Sequence, residues 1–235
     1  MIVTILAAGS QSRLQDITGD MPKSLYPLTP KGDSLLSFLL AGLMDWDMTA
    51  LLLIAGDAIE TFSKYCATRV PRKIKVIRAN PDYVKGPLFT FLTALPVFAE
   101  DTTLIFPADL YIAPQGYVIL KNLIKTNNVC LFTQPLQPFH HGPVFLNGKV
   151  GSQKNVISAP DAQTILPIAQ ITPDFATFAQ ECAHKGVNKV LDALIAWQDA
   201  GNTLEFISIP PFFWVDVDTP ESMVMVQRFL HSKKT

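Results

Sequence analysis

The chain has 235 residues, 49% of them hydrophobic and 17% charged, with a formal net charge of −1. That length and apolar content support a substantial core and exclude a disordered chain. The near-neutral charge excludes the basic footprint of a nucleic-acid binder. Cys66, Cys130 and Cys182 are odd in number and widely spaced. They form neither a disulfide framework nor a zinc motif, and a reducing, cytoplasmic setting is the expectation. The opening residues read as a strand rather than a signal peptide. The longest apolar stretch, Leu35 to Met44, is too short to span a bilayer.

Met1 to Leu6 is apolar and β-branched and predicts a first strand. It runs into Leu6-Ala7-Ala8-Gly9-Ser10-Gln11-Ser12-Arg13-Leu14, followed by Pro22-Lys23-Ser24-Leu25. Small residues let the backbone approach a ligand closely, and Arg13 and Lys23 have no acidic run beside them. The combination suits a polyphosphate, with backbone N–H groups on the oxygens and two cations balancing the charge. A plain tight turn with solvated cations is the alternative. Neither the P-loop nor the dinucleotide glycine pattern is present.

Further along, Ala50 to Ala55 is continuously apolar, as in a strand covered on both faces, and Ile74 to Ile77, Thr103 to Phe106 and Val129 to Thr133 share that character. Segments of helical length alternate with them: Leu35 to Trp46, Ala58 to Cys66, Leu88 to Phe98 and Pro114 to Thr126. Asp57 and Pro114 act as N-terminal signals. The alternation predicts an α/β fold with a mostly parallel central sheet and helices on both faces. After residue 134 prolines 135, 138 and 143 interrupt the pattern. Val144 to Val150, turning at Asn147-Gly148, predicts a hairpin. Helices follow at Phe175 to His184 and Lys189 to Ala200, strands at Leu204 to Ile209 and Phe212 to Val217, and a last helix from Pro220 to His231. With no repeat or low-complexity linker, the expectation is one domain over 1–235. The expectation is that its second half, 135–235, decorates and closes a nucleotide-binding first half, 1–134.

Open α/β sheets bind ligands at the carboxyl ends of their strands. Asp109, in Phe106-Pro107-Ala108-Asp109-Leu110, falls there, as do Asp216 and Asp218 in Trp214-Val215-Asp216-Val217-Asp218-Thr219-Pro220-Glu221. Carboxylates from separate strand ends suit Mg²⁺, which takes one or two of them plus phosphates and water. Helix capping accounts equally for Thr219, Pro220 and Glu221 but not for Asp216, and a chain turn would account for Asp109. Lys85-Gly86-Pro87-Leu88 either starts a helix or lets Gly86 approach a flat base.

Together these segments resemble the nucleotidyltransferase superfamily, and most closely the sugar-1-phosphate nucleotidylyltransferases. The matching residues are Leu6 to Gly9, Arg13, Leu14, Thr18, Pro22, Lys23 and Leu25, then the hairpin at Phe145 to Val150, then Trp214 to Glu221. The resemblance implies a Rossmann-like fold of the GT-A, nucleotide-diphospho-sugar transferase type, with a small β-hairpin region. It also implies roles. Leu6, Ala7, Ala8 and Gly9 face the nucleotide, Gly86 its base, and Arg13 and Lys23 hold the triphosphate. Asp109 and Asp218 carry Mg²⁺, with Asp216 as support or alternative ligand. The partners implied are an NTP and a phosphorylated small-molecule acceptor, with no nucleic acid or membrane; an oligomer is open. The sequence departs from the family at Ala108, where Gly is common, at Leu14-Gln15-Asp16, and in lacking a Glu-Lys-Pro after the hairpin, for which Lys149 or Lys154 would substitute. His140-His141-Gly142-Pro143 is similar to a segment of molybdopterin nucleotidyltransferases. A nucleotide-sugar-dependent glycosyltransferase and a non-catalytic nucleotide-binding homologue are the rival readings.

Overall fold

The strand that opens the chain, β1 (Ile2–Ala7), lies at the centre of the main sheet, and its side chains alternate between two cores. In a computed structural model of the chain, the described residues are 1–9, 13–69, 74–97, 101–124, 128–136, 142–146, 148–152 and 161–233. Ser10 to Ser12, Pro138, His140, His141, Asn147 and Lys154 lie outside them. β1 pairs in parallel with β2 (Ala50–Ala55) on one side and β4 (Thr103–Pro107) on the other, and β3 (Lys75–Arg78) extends the β2 edge. Val3, Ile5, Leu51, Leu53, Leu104 and Phe106 face a core shared with α2 (Leu35–Leu43), α3 (Ile59–Arg69) and α5 (Pro114–Leu123). Ile2, Leu52, Ile54 and Ile105 face the opposite core, under α4 (Pro87–Leu92), α6 (Pro173–His184) and α7 (Val190–Asp199). Burial on both faces is why these strands read as unbroken apolar runs.

The second half of the chain completes the same sheet. β6 (Cys130–Pro135) and β10 (Glu205–Ser208) pair in parallel, and β9 (Gln163–Ile171) runs antiparallel between β4 and β6. The resulting order is β10-β6-β9-β4-β1-β2-β3. The hairpin of β7 (Pro143–Leu146) and β8 (Lys149–Ser152) hangs on β9. Sequence periodicity did not show β9. Its polar Gln163, Thr164 and Gln170 and its Pro167 break the apolar run, yet Thr164 and Gln170 are fully buried. Pro167 falls where the β6–β9 register shifts, an irregularity that spares it a ladder hydrogen bond.

Beside the main sheet, β5 (Leu110–Ile112) and β11 (Trp214–Asp216) form a separate antiparallel ribbon, and α8 (Pro220–Ser232) follows it. The predicted strand Phe212 to Val217 thus shortens and leaves the main sheet. The predicted helix Leu88 to Phe98 also ends early, at Leu92, before a 3-10 turn at Leu95–Val97. Pro96 offers no N–H and disfavours helical backbone at Leu95.

Candidate active site

From β1 the chain connects to β2 on one side, while β4 lies on the other, so a crevice opens beyond the carboxyl ends of β1 and β4. Pro107 cannot donate a ladder bond past its own position, and the chain leaves β4 there through Ala108 and Asp109. The ribbon then determines what stands beside Asp109. Leu110 pairs with Asp216, and the Asp109 carbonyl accepts the Val217 N–H at 3.0 Å. The Asp109 side chain is thereby flanked by those of Asp216 and Asp218. All three present carboxylate oxygens lying within 4.8 Å of one another. Capping of α8 leaves Asp218 to the cleft, because Thr219 does the capping. Its hydroxyl accepts the Ser222 N–H at 3.3 Å, while the Ser222 hydroxyl accepts the Thr219 N–H at 3.0 Å.

Lys23 reaches this cluster from the opposite wall. It opens a 3-10 turn, Lys23–Leu25, anchored by the buried Ser24 and Leu25. Its ammonium lies 2.6 Å from Asp109 Oδ2 and 2.5 Å from Asp218 Oδ1. Burial alone would lower its pKa; the Asp109 charge and hydrogen bond, then those of Asp218, outweigh this and hold it above the usual lysine value. Lys23 therefore stays charged. Arg13 Nη1 is 3.9 Å from Asp218 Oδ2, but the side chain is 72% exposed and weakly held. Its neighbour Leu14 is fully buried against β11 and α8. Leu14's carbonyl accepts from the Thr18 hydroxyl at 3.1 Å, a local structural bond for that threonine.

Asp216 is the exposed member of the triad, with the Asp109 and Asp218 carboxylates crowding its own. Burial first, then the Asp109 and Asp218 charges, push its pKa up to about 8, against the pull of Lys23 and Arg13. Three hard oxygen donors at this separation fit a small divalent cation such as Mg²⁺ or Mn²⁺, with room for phosphate and water in its shell.

The cleft extends from these groups past Leu6, Ala7, Ala8 and Gly9 to the end of β2, with a volume of about 930 Å³. Its far wall carries Gly56, Asp57, Phe62, Tyr83, Val84, Gly86 and Thr90. Gly86 has φ +145°, and a Cβ there would come 2.5 Å from the Asn188 carbonyl. Close packing of Asn188 thus gives this glycine a structural reason of its own. Asp57 and Tyr83 were not singled out as site residues in sequence; Asp57 read as a helix-start signal. The clue available was its position directly after β2. The Tyr83 ring lies over Gly56, next to Asp57, and the neighbouring Asp57 carboxylate, with burial, raises the phenol's pKa. Lys149 is exposed on β8 and does not line the cleft. A second cavity, of about 580 Å³ near the opposite ends of β4 and β9, has Asp101 and Asp174 as the charged side chains among its described lining residues.

No protein-family model and no curated protein matches the sequence. Solved structures do match in fold. An inositol-1-phosphate CTP transferase from T. maritima is 15% identical, with 98% of this chain and 94% of that one covered at a TM-score of 0.79. A putative glucose-1-phosphate thymidylyltransferase from Bacillus anthracis is 16% identical, with 97% and 95% covered at 0.78. A UDP-glucose pyrophosphorylase solved with UDP-glucose is 15% identical, with 99% and 98% covered at 0.77. Over almost its whole length, the chain has the Rossmann-like α/β fold of the sugar-phosphate nucleotidyltransferases.

Proposed function

We propose that the protein is a divalent-metal-dependent nucleotidylyltransferase, joining an NTP to a phosphorylated small molecule, a sugar-1-phosphate or phospho-alcohol, with release of pyrophosphate. The observation that carries this reading is the meeting of Lys23 with Asp109 and Asp218 in a cleft long enough for a nucleotide. An acceptor phosphate oxygen is already ionised at neutral pH, so attack on the α-phosphorus needs no strong base. The new O–Pα bond forms as the bond from Pα to the pyrophosphate oxygen breaks. Catalysis is then positioning and charge stabilisation.

In this reading the Leu6 to Gly9 backbone lies along the phosphates, and Arg13 and Lys23 offset the charge gathering on the leaving pyrophosphate. Asp109, Asp216 and Asp218 would hold Mg²⁺, which would supply Lewis-acid polarisation of the phosphate oxygens. Lys23 and a metal cannot both occupy the same carboxylate oxygens. A metal taking those oxygens would leave the Lys23 ammonium available to the polyphosphate.

The test is product analysis after mixing each NTP and Mg²⁺ with a panel of sugar-1-phosphates, polyol phosphates and phosphocholine. Metal-dependent pyrophosphate release is the expected result. NDP release from a nucleotide-sugar would indicate glycosyl transfer instead, and NTP binding without turnover a non-catalytic homologue; either overturns the proposal.

A further inference from the structure

The acid cluster exists only in the register of the β5–β11 ribbon, and that ribbon is small. Its strands have three residues each and form a two-stranded sheet of their own. A pair of strands this short does not hold itself together in water and needs anchoring to a larger body. β5 is anchored through Asp109 to β4, in the main sheet. β11 arrives from β10 through Ile209-Pro210-Pro211-Phe212-Phe213, in which the two prolines have no N–H to donate.

The connection is fastened from β6 and from α5. At its start the Ile209 N–H donates to the Thr133 carbonyl at 2.8 Å. At Phe212 a side chain takes over from the backbone. Gln134, the next residue of β6, is fully buried, and its amide nitrogen donates to the Phe212 carbonyl at 3.4 Å while its amide oxygen accepts the Phe212 N–H at 3.3 Å. A primary amide carries donor and acceptor side by side, so Gln134 makes with Phe212 the two-bond exchange that a paired strand residue would make. On the other side the Phe212 ring lies over Gly116, in the first turn of α5. A Cβ there would come 2.7 Å from the ring and 2.6 Å from Ile112, the last residue of β5. Beyond this anchor the Phe213 carbonyl accepts the Ala113 N–H at 2.9 Å, Trp214 pairs with Ile112, and Asp216 pairs with Leu110. The place of Phe212 thus determines where Asp216 and Asp218 fall. Gln134 is not among the described lining residues of the cleft, so it acts on the cluster only through this backbone.

We infer that Gln134 is a positioning residue for the acid cluster: its two bonds to the Phe212 backbone hold the ribbon in the register that sets Asp216 and Asp218 beside Asp109 for a divalent cation. This rests on the metal reading of the cluster and adds to it a buried residue outside the cleft. Groups that orient metal ligands from behind are typically worth 10–100-fold in metal affinity, and Gln134, acting through several residues of backbone, falls at the lower end, about ten-fold.

The experiment is calorimetric titration of the intact protein with Mn²⁺ in the absence of nucleotide, for the parent, Gln134→Met, Gly116→Ala and Ile171→Val. Gln134→Met nearly keeps the side-chain volume and removes both bonds. Gly116→Ala displaces the same anchor with Gln134 in place, so the anchor is tested even where Gln134→Met does not fold. Ile171, buried and paired with Thr103 at the start of β4, controls for lost stability remote from the ribbon. The expected result is an Mn²⁺ Kd about ten-fold weaker in Gln134→Met and Gly116→Ala and within about two-fold of the parent in Ile171→Val, whatever the fall in Tm. In steady-state assays the Mn²⁺ concentration for half-maximal turnover rises about ten-fold in Gln134→Met, and saturating Mn²⁺ restores turnover, which a mere loss of folded protein would not permit. Unchanged Mn²⁺ affinity in the folded anchor variants overturns the inference, as does an equal loss in Ile171→Val or turnover that saturating Mn²⁺ fails to restore. A parent that binds no Mn²⁺, or binds it as well after Asp109→Asn, is a different result: it overturns the metal reading, and the positioning role with it.

Discussion

Replacing Lys23 by Met separates two roles that one side chain combines. The ammonium lies 2.6 Å from Asp109 and 2.5 Å from Asp218, with its own side chain 11% exposed and the carboxylates 22% and 45% exposed. A charge pair at about 4 Å in a protein-surface dielectric is worth at most ~4 kcal/mol. The solvent reaching both carboxylates reduces this sharply, and about 1–2 kcal/mol for the pair of contacts is the reasonable scale. Without metal, Lys23→Met therefore loses roughly that much stability, a fall in Tm of about 3–6 °C for a chain of this size. A divalent cation entering the parent protein must displace the ammonium; in the variant it does not. Mn²⁺ should then bind the variant about 5–30-fold more tightly in the absence of nucleotide. Turnover should still fall ~10²–10³-fold, because a cation has been lost from the leaving pyrophosphate. Calorimetric titration with Mn²⁺, alongside steady-state kinetics, reads both effects. Unchanged or weaker Mn²⁺ binding, together with near-normal turnover, would refute the reasoning.

Three further outcomes follow from the geometry. Arg13→Ala should leave the unfolding free energy within about 0.5 kcal/mol of the parent, since an exposed pair at 3.9 Å contributes little, while KM for the NTP rises about ten-fold. Gly86→Ala should cost about 2 kcal/mol or more, measured by chemical denaturation, because the positive φ and the Asn188 carbonyl both oppose a Cβ. The raised Asp216 pKa has a definite sign: the native state holds that proton more tightly than the unfolded chain does. Metal-free stability should therefore fall as pH rises from the ordinary carboxylate value of 3.8 through about 8, and Asp216→Asn should flatten that slope in a Tm-versus-pH series. Metal binding should correspondingly strengthen over the same rise in pH.

The sheet was legible where each strand buries both faces. The run Ala50 to Ala55 reads the same in sequence and structure because Leu51 and Leu53 enter one core while Leu52 and Ile54 enter the other. β9 was hidden because its two glutamines bond to residues distant in sequence. Gln170 donates to the Asn128 carbonyl at 2.8 Å, and Gln163 accepts from Thr133 at 2.5 Å. Nothing local to residues 163–171 announces those bonds. The ribbon was hidden for the same reason, since Leu110 to Ile112 is too short to stand out until Trp214 to Asp216 pairs with it.

The strand-end position of Asp109, Asp216 and Asp218 is a local property, readable from where an apolar run stops. Their convergence with Lys23 depends on the ribbon register and is visible only in three dimensions.

The most direct test of the central claim is anomalous diffraction from crystals grown with Mn²⁺ and a non-hydrolysable NTP. The account expects a single strong peak within coordination distance of the Asp109, Asp216 and Asp218 carboxylates, the triphosphate in contact with it, and Lys23 turned from the acids to the phosphates. A metal and triphosphate bound elsewhere, with Lys23 still between Asp109 and Asp218, would contradict it.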